Sequence, residues 1–199
     1  MSLINRPKTT RGEKTLQSII DAAEIVFYEK GYNGSTIKDI SNEAGVSVGT
    51  IYIYFPDKKS IYDYLLLQYS KYIRANIAKR IEGIKSRKEA ERLGLLVFLE
   101  IVRESKYIYN IIWESLYIDK QKFIDYYMDF AEHYSKQIKE AMDDGVMLKY
   151  DPEVVAWTLM GISNFIGLRY VMFKDNEDLD KVADEVMNML DRGLFGTEK

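Results

Sequence analysis

The chain has no cysteine among its 199 residues, only 3 prolines and 12 glycines, and a single histidine. Without cysteine there is neither a disulfide nor a thiolate, which excludes thiol nucleophiles and zinc–thiolate sites and makes a reducing compartment the simplest home. Few prolines and glycines leave few places to interrupt a helix. The one histidine, His133, stands beside Glu132 with no Glu-x-x-His pair, so a di-iron carboxylate bundle is not encoded. A Gly-rich phosphate loop and a nucleophile elbow are missing as well. No catalytic residue, metal or cofactor is therefore expected, and the chain reads as something other than an enzyme. The opening MSLINRPKTTRGEK lacks the apolar core of a secretory signal. The longest uninterrupted apolar stretch, Leu93–Leu99, falls short of the roughly 20 residues that a membrane span needs. These absences predict a cytoplasmic protein with no membrane partner.

What is present suits a folded globular chain: 47% hydrophobic and 30% charged residues lie well away from the composition of disordered proteins. The net charge of −3 is uneven, because residues 1–59 hold 8 basic against 7 acidic side chains and residues 60–199 hold 20 against 24. Within the first stretch Arg6, Lys8, Arg11 and Lys14 face only Glu13. A basic arm on a mildly acidic body is compatible with a small DNA-binding head.

Helical spacing recurs along the whole chain. Leu16, Ile19, Ile20, Ala23 and Phe27 mark a first helix that Gly31 stops. Thr36 and Asp39 have the spacing of a capping box for a short second helix closed by Gly45. Ser47 caps a third helix from Val48 to about Tyr54, stopped by Pro56, and Asp57 caps a fourth from Lys58 to about Glu82. The fifth spans roughly 87–104, with an apolar centre, Leu95–Leu99, that could pass for a strand. A short sixth carries Ile108, Ile111, Ile112 and Leu116. The seventh places Phe123, Tyr127, Phe130, Tyr134, Ile138 and Ala141 on one stripe and ends at Gly145. Asp151-Pro152 opens an eighth that runs to about Phe173, and Leu179 to Leu190 form a ninth. The expectation is an all-α fold of about nine helices. Residues 1–57 would form an arm and a three-helix head, and residues 58–199 a helical body joined to it through the connector helix 58–82.

The second and third helices, joined by Ala44-Gly45-Val46-Ser47, have the proportions of a helix-turn-helix. Such a unit lays its second helix in the major groove, where Ser47, Gly49, Thr50 and Tyr52 would face DNA. Small residues let the backbone approach, and hydroxyls reach phosphates or base edges. The run TIKDISNEAGVSVGTIYIYFPDKKSIYDYLL resembles the N-terminal signature of the tetracycline-repressor (TetR) family of transcriptional regulators. The resemblance rests on Thr36, Ile40, Ala44 to Ser47, Gly49, Thr50, Tyr52, Tyr54, Phe55 and Lys58. The earlier IIDAAEIVFYEKGYNGST is similar to that family's first helix, so the likeness covers about the first third of the chain. It implies phosphate contacts from Thr36, Ser47, Tyr52, Tyr54 and Lys58. It also puts Val48, Gly49 and Thr50 nearest the bases, and Phe55 as the anchor of the recognition helix. Val48 stands where many relatives carry Lys or Arg, and Ile53 where a polar or aromatic residue is common. Readout is therefore expected to lean on thymine methyls, Thr50 and DNA shape. Arg6, Lys8 and Arg11 are open to two readings, a further DNA contact or a solvated tail.

The eighth helix, VVAWTLMGISNFIGLRYVMF, is apolar nearly all round and must be covered on more than one side. The resemblance implies a homodimer through the last two helices, which would set two recognition helices about 34–36 Å apart on a palindromic operator. The body is rich in aromatics, and pockets of that character accept small molecules. A pocket among the fifth to eighth helices is expected to take a small hydrophobic or aromatic effector. Its lining would come from Phe98, Trp113, Tyr117, Tyr127, Phe130, Trp157, Phe165 and Tyr170, with Glu100 or Arg169 as polar handles. Effector binding would pivot the fourth helix and shift the heads apart; the resemblance implies repression, and activation stays open. The rival is a helical carrier of hydrophobic molecules with a vestigial head, which would bind no DNA.

Overall fold

A computed structural model of the chain describes residues 4–174 and 176–192. Among the described residues there are nine α-helices and no strand: α1 (Thr10–Gly34), α2 (Ile37–Glu43), α3 (Val48–Tyr54), α4 (Lys58–Ile81), α5 (Arg87–Glu104), α6 (Tyr107–Ile118), α7 (Lys120–Asp143), α8 (Pro152–Gly167) and α9 (Leu179–Arg192). Short polar side chains begin them, as expected. Thr36 and Asp39 close a reciprocal capping box on α2, and Ser47, Ser86 and Asp151 accept backbone N–H groups at the starts of α3, α5 and α8. The run Leu95–Leu99 is helical, as its polar flanks required.

Two boundaries differ from the sequence reading. α1 begins earlier, on a Thr9 cap, and its regular part ends at Gly31, where φ is +67°. α8 extends through Leu168–Phe173 only as a π-helical segment, so the expected single helix to Phe173 changes its winding after Gly167.

Contacts divide the chain into two compact units, Met1–Lys71 with Tyr107–Tyr127, and Tyr72–Lys106 with Met128–Lys199. The division cuts α4 after Lys71 and groups α6 with the first three helices. The reason is packing. α6 lies on α1, where Tyr28 meets Tyr107 edge-on at 4.9 Å and the buried Tyr62 hydroxyl of α4 donates to the Ile111 carbonyl at 2.5 Å. Burial pushes the Tyr62 pKa far up, so that hydroxyl stays a donor. Lys59 adds an ion pair to Asp119 at 2.9 Å.

In the second unit α5 packs against both α8 and α9. The apolar stripe of α9, Leu179, Ala183, Val186 and Met187, is buried, and Arg92 of α5 bridges Asp180 at 3.0 Å and Asp184 at 2.5 Å. Ile138 and Met142 of α7 meet Ala156 of α8 in a buried cluster. Pro152–Phe173, 22 residues containing an 18-residue window of mean hydropathy 1.3, is long and apolar enough to cross a membrane by length and composition. The expectation that no stretch reaches that length counted only uninterrupted apolar residues, and is corrected. Only 22% of that apolar window is buried, so the apolar face of α8 is largely uncovered.

Candidate nucleic-acid interface

The turn between α2 and α3 is built by backbone chemistry. Gly45 takes φ +64°, a conformation costly for other residues, and Val46 donates its N–H to the Ser41 carbonyl at 3.0 Å. Ile40, Ile51 and Phe55 are fully buried, and α2 packs on both α1 and α3. Phe55 meets Tyr64 edge-on at 5.6 Å, so it anchors the end of α3 as the resemblance implied.

With that face held inward, the other face of α3 is open. Ser47, Val48 and Gly49 are exposed and Thr50 is half-exposed, while Tyr52 is 51% and Ile53 63% accessible. A Cβ added at Gly49 would meet nothing closer than the Ser47 hydroxyl, at 3.8 Å, so glycine there leaves room rather than relieving a clash. Ser47 and Thr50 share a hydroxyl–hydroxyl bond of 2.9 Å at the start of the helix. Thr36 is exposed at the start of α2, with its hydroxyl bonded to Asp39 at 2.6 Å. Asp39 also accepts from Lys30 at 2.6 Å. That bond, then those from Thr36, hold its carboxyl down at about 2.

Two expected contact residues are placed differently. Tyr54 is 8% exposed, its hydroxyl lies beside Gly12 of α1, and its carbonyl accepts the Asn5 N–H at 2.8 Å. It packs the head instead of facing outward, because on a helix residue 54 shares the inward face with Ile51. Lys58 directs its ammonium at the carbonyls of Tyr32 and Ser35, at 2.5 and 2.8 Å, and lies over the Tyr32 ring, 4.2 Å from its centre. Burial lowers its pKa, partly offset by Glu114 and Asp39. These bonds satisfy carbonyls at the α1 exit and leave at most one N–H for anything else.

Glu114, which no local pattern singles out, completes the same corner. Its carboxylate accepts the Tyr32 N–H at 2.7 Å across 82 positions of sequence. Gly31 lets it in, since a Cβ there would sit 2.9 Å from Glu114 Oε1.

The expected effector-lining residues are divided between the two units. Trp113, Tyr117 and Tyr127 belong to the first unit, whereas Phe98, Glu100, Phe130, Trp157, Phe165 and Tyr170 belong to the second. Tyr117 is 85% exposed. Half-buried Tyr127 has its pKa pushed up to about 12 by burial and meets the Phe123 ring, tilted at 60°, with centroids 4.9 Å apart. Glu100 turns to Arg80, 3.8 Å away, and exposed Arg169 lies over the Tyr170 ring at 5.0 Å. The second unit does hold a polar group the sequence reading missed. Arg103 of α5 donates Nη2 to the Glu177 carbonyl at 2.7 Å while its Nε is buried without a partner. A shallow open depression of about 490 Å³ lies at the start of α8, lined by Asp151, Glu153, Val154, Trp157 and Thr158.

Comparison with known proteins places this geometry. Residues 19–65, which hold α2, α3 and the parts of α1 and α4 that pack on them, match the family described as bacterial regulatory proteins, tetR family. Over 190 residues the chain is 26% identical to the HTH-type transcriptional regulator YuxN of Bacillus subtilis (strain 168), covering 89% of this chain and 62% of that protein. The chain thus spans about three fifths of that relative. Among solved structures, the fatty acid degradation regulator FadR from Bacillus halodurans superimposes with a TM-score of 0.81 at 20% identity, covering 95% of this chain and 98% of that one. The transcriptional regulator FadR from Bacillus subtilis in complex with stearoyl-CoA gives 0.75 at 22% identity, covering 90% and 100%. At those identities the two structures establish a shared fold.

Proposed function

We propose that this chain, which belongs by its N-terminal domain to the tetR family of bacterial regulatory proteins, is a cytoplasmic, ligand-responsive transcriptional repressor rather than an enzyme. The observation that carries the reading is the open face of α3 set on a rigid core. Thr36, Ser47 and Tyr52 contact phosphates, and Val48, Gly49 and Thr50 lie nearest the bases. Tyr54 and Lys58 act from behind, holding α3 and the α1 exit in place. Without a charged side chain on α3, base readout relies on methyl contacts, the Thr50 hydroxyl and DNA shape.

The reading head comprises residues 1–57 and the sensing body 58–199, with α4 as connector. Two copies pair through the last two helices, so that two heads match a near-palindromic operator with half-sites about 34–36 Å apart. α8 supplies most of that surface, since Val154 and Phe165 are 62% and 65% exposed while the stripe of α9 is already covered. The effector is a small hydrophobic molecule bound in the body, and the FadR complex with stearoyl-CoA makes a long-chain acyl-CoA the first to test. The buried, unpaired Nε of Arg103 suits an anionic group at one end of such a ligand. Release follows if the effector prefers the conformation in which the heads lose operator spacing.

The test is selection of bound fragments from random DNA by the purified protein. Enrichment of a near-palindromic site that stearoyl-CoA then displaces supports the full reading. Enrichment without displacement removes the acyl-CoA assignment alone. No enrichment, with no binding at low salt, overturns the regulator reading and leaves a helical carrier.

A further inference from the structure

The head faces a polyanion with a recognition helix that carries no charge, which raises the question of where its cations are. Residues 4–59 contain eight Lys and Arg side chains. Lys30 is paired with Asp39, Lys59 with Asp63 and Asp119, and Lys58 is held by two carbonyls. Among the described residues, Arg6, Lys8, Arg11, Lys14 and Lys38 make no ion pair, and four of these five lie within residues 6–14.

That stretch is positioned. Ile4 is buried. Asn5 donates its backbone N–H to the Tyr54 carbonyl at 2.8 Å and its side-chain amide to the Ile53 carbonyl at 3.1 Å. The segment therefore starts from the last turn of α3. It then folds over Gly12, where a Cβ would sit 2.7 Å from Pro7 Cβ and 3.2 Å from the Thr9 hydroxyl that caps α1. Any side chain at residue 12 would push the segment off its path. Arg6, Lys8, Arg11 and Lys14 are all exposed, and Arg11 and Lys14 share one face of the first turn of α1.

We infer that residues 5–14 form a second DNA-contacting element, an anchored basic arm that neutralises backbone phosphates beside the groove occupied by α3. This rests on the regulator reading above and adds the part of the protein that supplies charge. Each phosphate neutralised releases counterions and steepens the salt dependence of binding by about 0.9 in log–log slope. The arm sets affinity without setting sequence, whereas the uncharged α3 does the reverse.

The experiment compares the wild-type chain, the triple variant R6Q/K8Q/R11Q, and Gly12→Ala on one duplex carrying the selected site with ten flanking base pairs on each side. Binding is measured across salt concentrations. The triple variant should lower the slope by about 2.7 per bound head, shorten the hydroxyl-radical footprint at the flanks and keep the same preferred site. Gly12→Ala keeps every charge and should still weaken binding at low salt, because the arm is displaced. Unchanged slope and affinity in the triple variant overturn the proposal. So does a changed base preference at an undiminished slope, which would mean that the arm reads bases. Wild-type affinity in Gly12→Ala would show that the built path is immaterial, and overturns it also. If the wild-type chain binds no DNA, the failure belongs to the regulator reading instead.

Discussion

Among the helices that display apolar side chains to solvent, α3 and α8 have surroundings that indicate different partners. α3 shows Val48, Tyr52 and Ile53 among a glycine and two hydroxyls, near cations that have no acidic partner. α8 shows Val154, Trp157 and Phe165 along a longer stripe that begins just after Asp151 and Glu153. A small face with room for close approach and basic neighbours suits a nucleic-acid groove. A broad aromatic face with acidic neighbours repels DNA and suits a protein surface, where such residues form the anchors. Exposed apolar area alone thus identifies no partner. The charge and size of the flanking residues decide.

The comparison can be broken most severely at the support of α3. Phe55→Ala empties a fully buried site and should cost about 3–5 kcal/mol, read as a large fall in the denaturation midpoint with loss of DNA binding. A fold that tolerates it would mean that α3 needs no anchor. On the other helix, Val154→Glu with Phe165→Glu should leave unfolding nearly unchanged. It should shift the dimer toward monomer by about 2 kcal/mol per anchor, seen by sedimentation at graded concentrations. A dimer that survives the double change would place the interface elsewhere.

Glu114→Ala should cost about 1–3 kcal/mol, because the Tyr32 N–H loses its acceptor, while Glu114→Gln keeps an acceptor and most of the stability. Equal effects of the two would show that charge, not the hydrogen bond, matters at that corner. Tyr52→Ala should weaken operator binding by about tenfold, roughly 1.4 kcal/mol, with the melting temperature unmoved, in contrast to any change at buried Tyr54.

The smallest effect concerns Glu24, whose carboxylate accepts from Tyr69 at 2.8 Å and whose pKa is raised, chiefly by burial. A raised acid favours its neutral form on folding, so its charge opposes the fold at neutral pH. Glu24→Gln should therefore stabilise the protein at pH 7. The gain should vanish as the pH falls below the ordinary value of 4.5, where the acid is neutral folded and unfolded alike. A gain that persists in acid would assign the effect to packing.

How much of this was legible in the sequence follows contact range. The caps of α2 and α3 lie within three residues of what they cap, so Thr36, Asp39 and Ser47 announced both helices and the turn between them. Phe55 was readable from periodicity and resemblance together. The bonds of Lys58 to the carbonyls of Tyr32 and Ser35 are not legible in the sequence, because backbone groups carry no residue pattern. The burial of Tyr54 is not legible either, because a short helix with aromatics on two faces does not declare which face turns inward. Glu114 and Asn5 were invisible for the same physical reason: each works on a segment dozens of positions away.

The central claim is that the uncharged face of α3 discriminates between sequences. The most direct measurement is a competition titration of the selected site against a scrambled duplex of equal length, at one near-physiological salt concentration. The account predicts a preference of at least about a thousandfold for the selected site. Equal affinity for the two duplexes would contradict it.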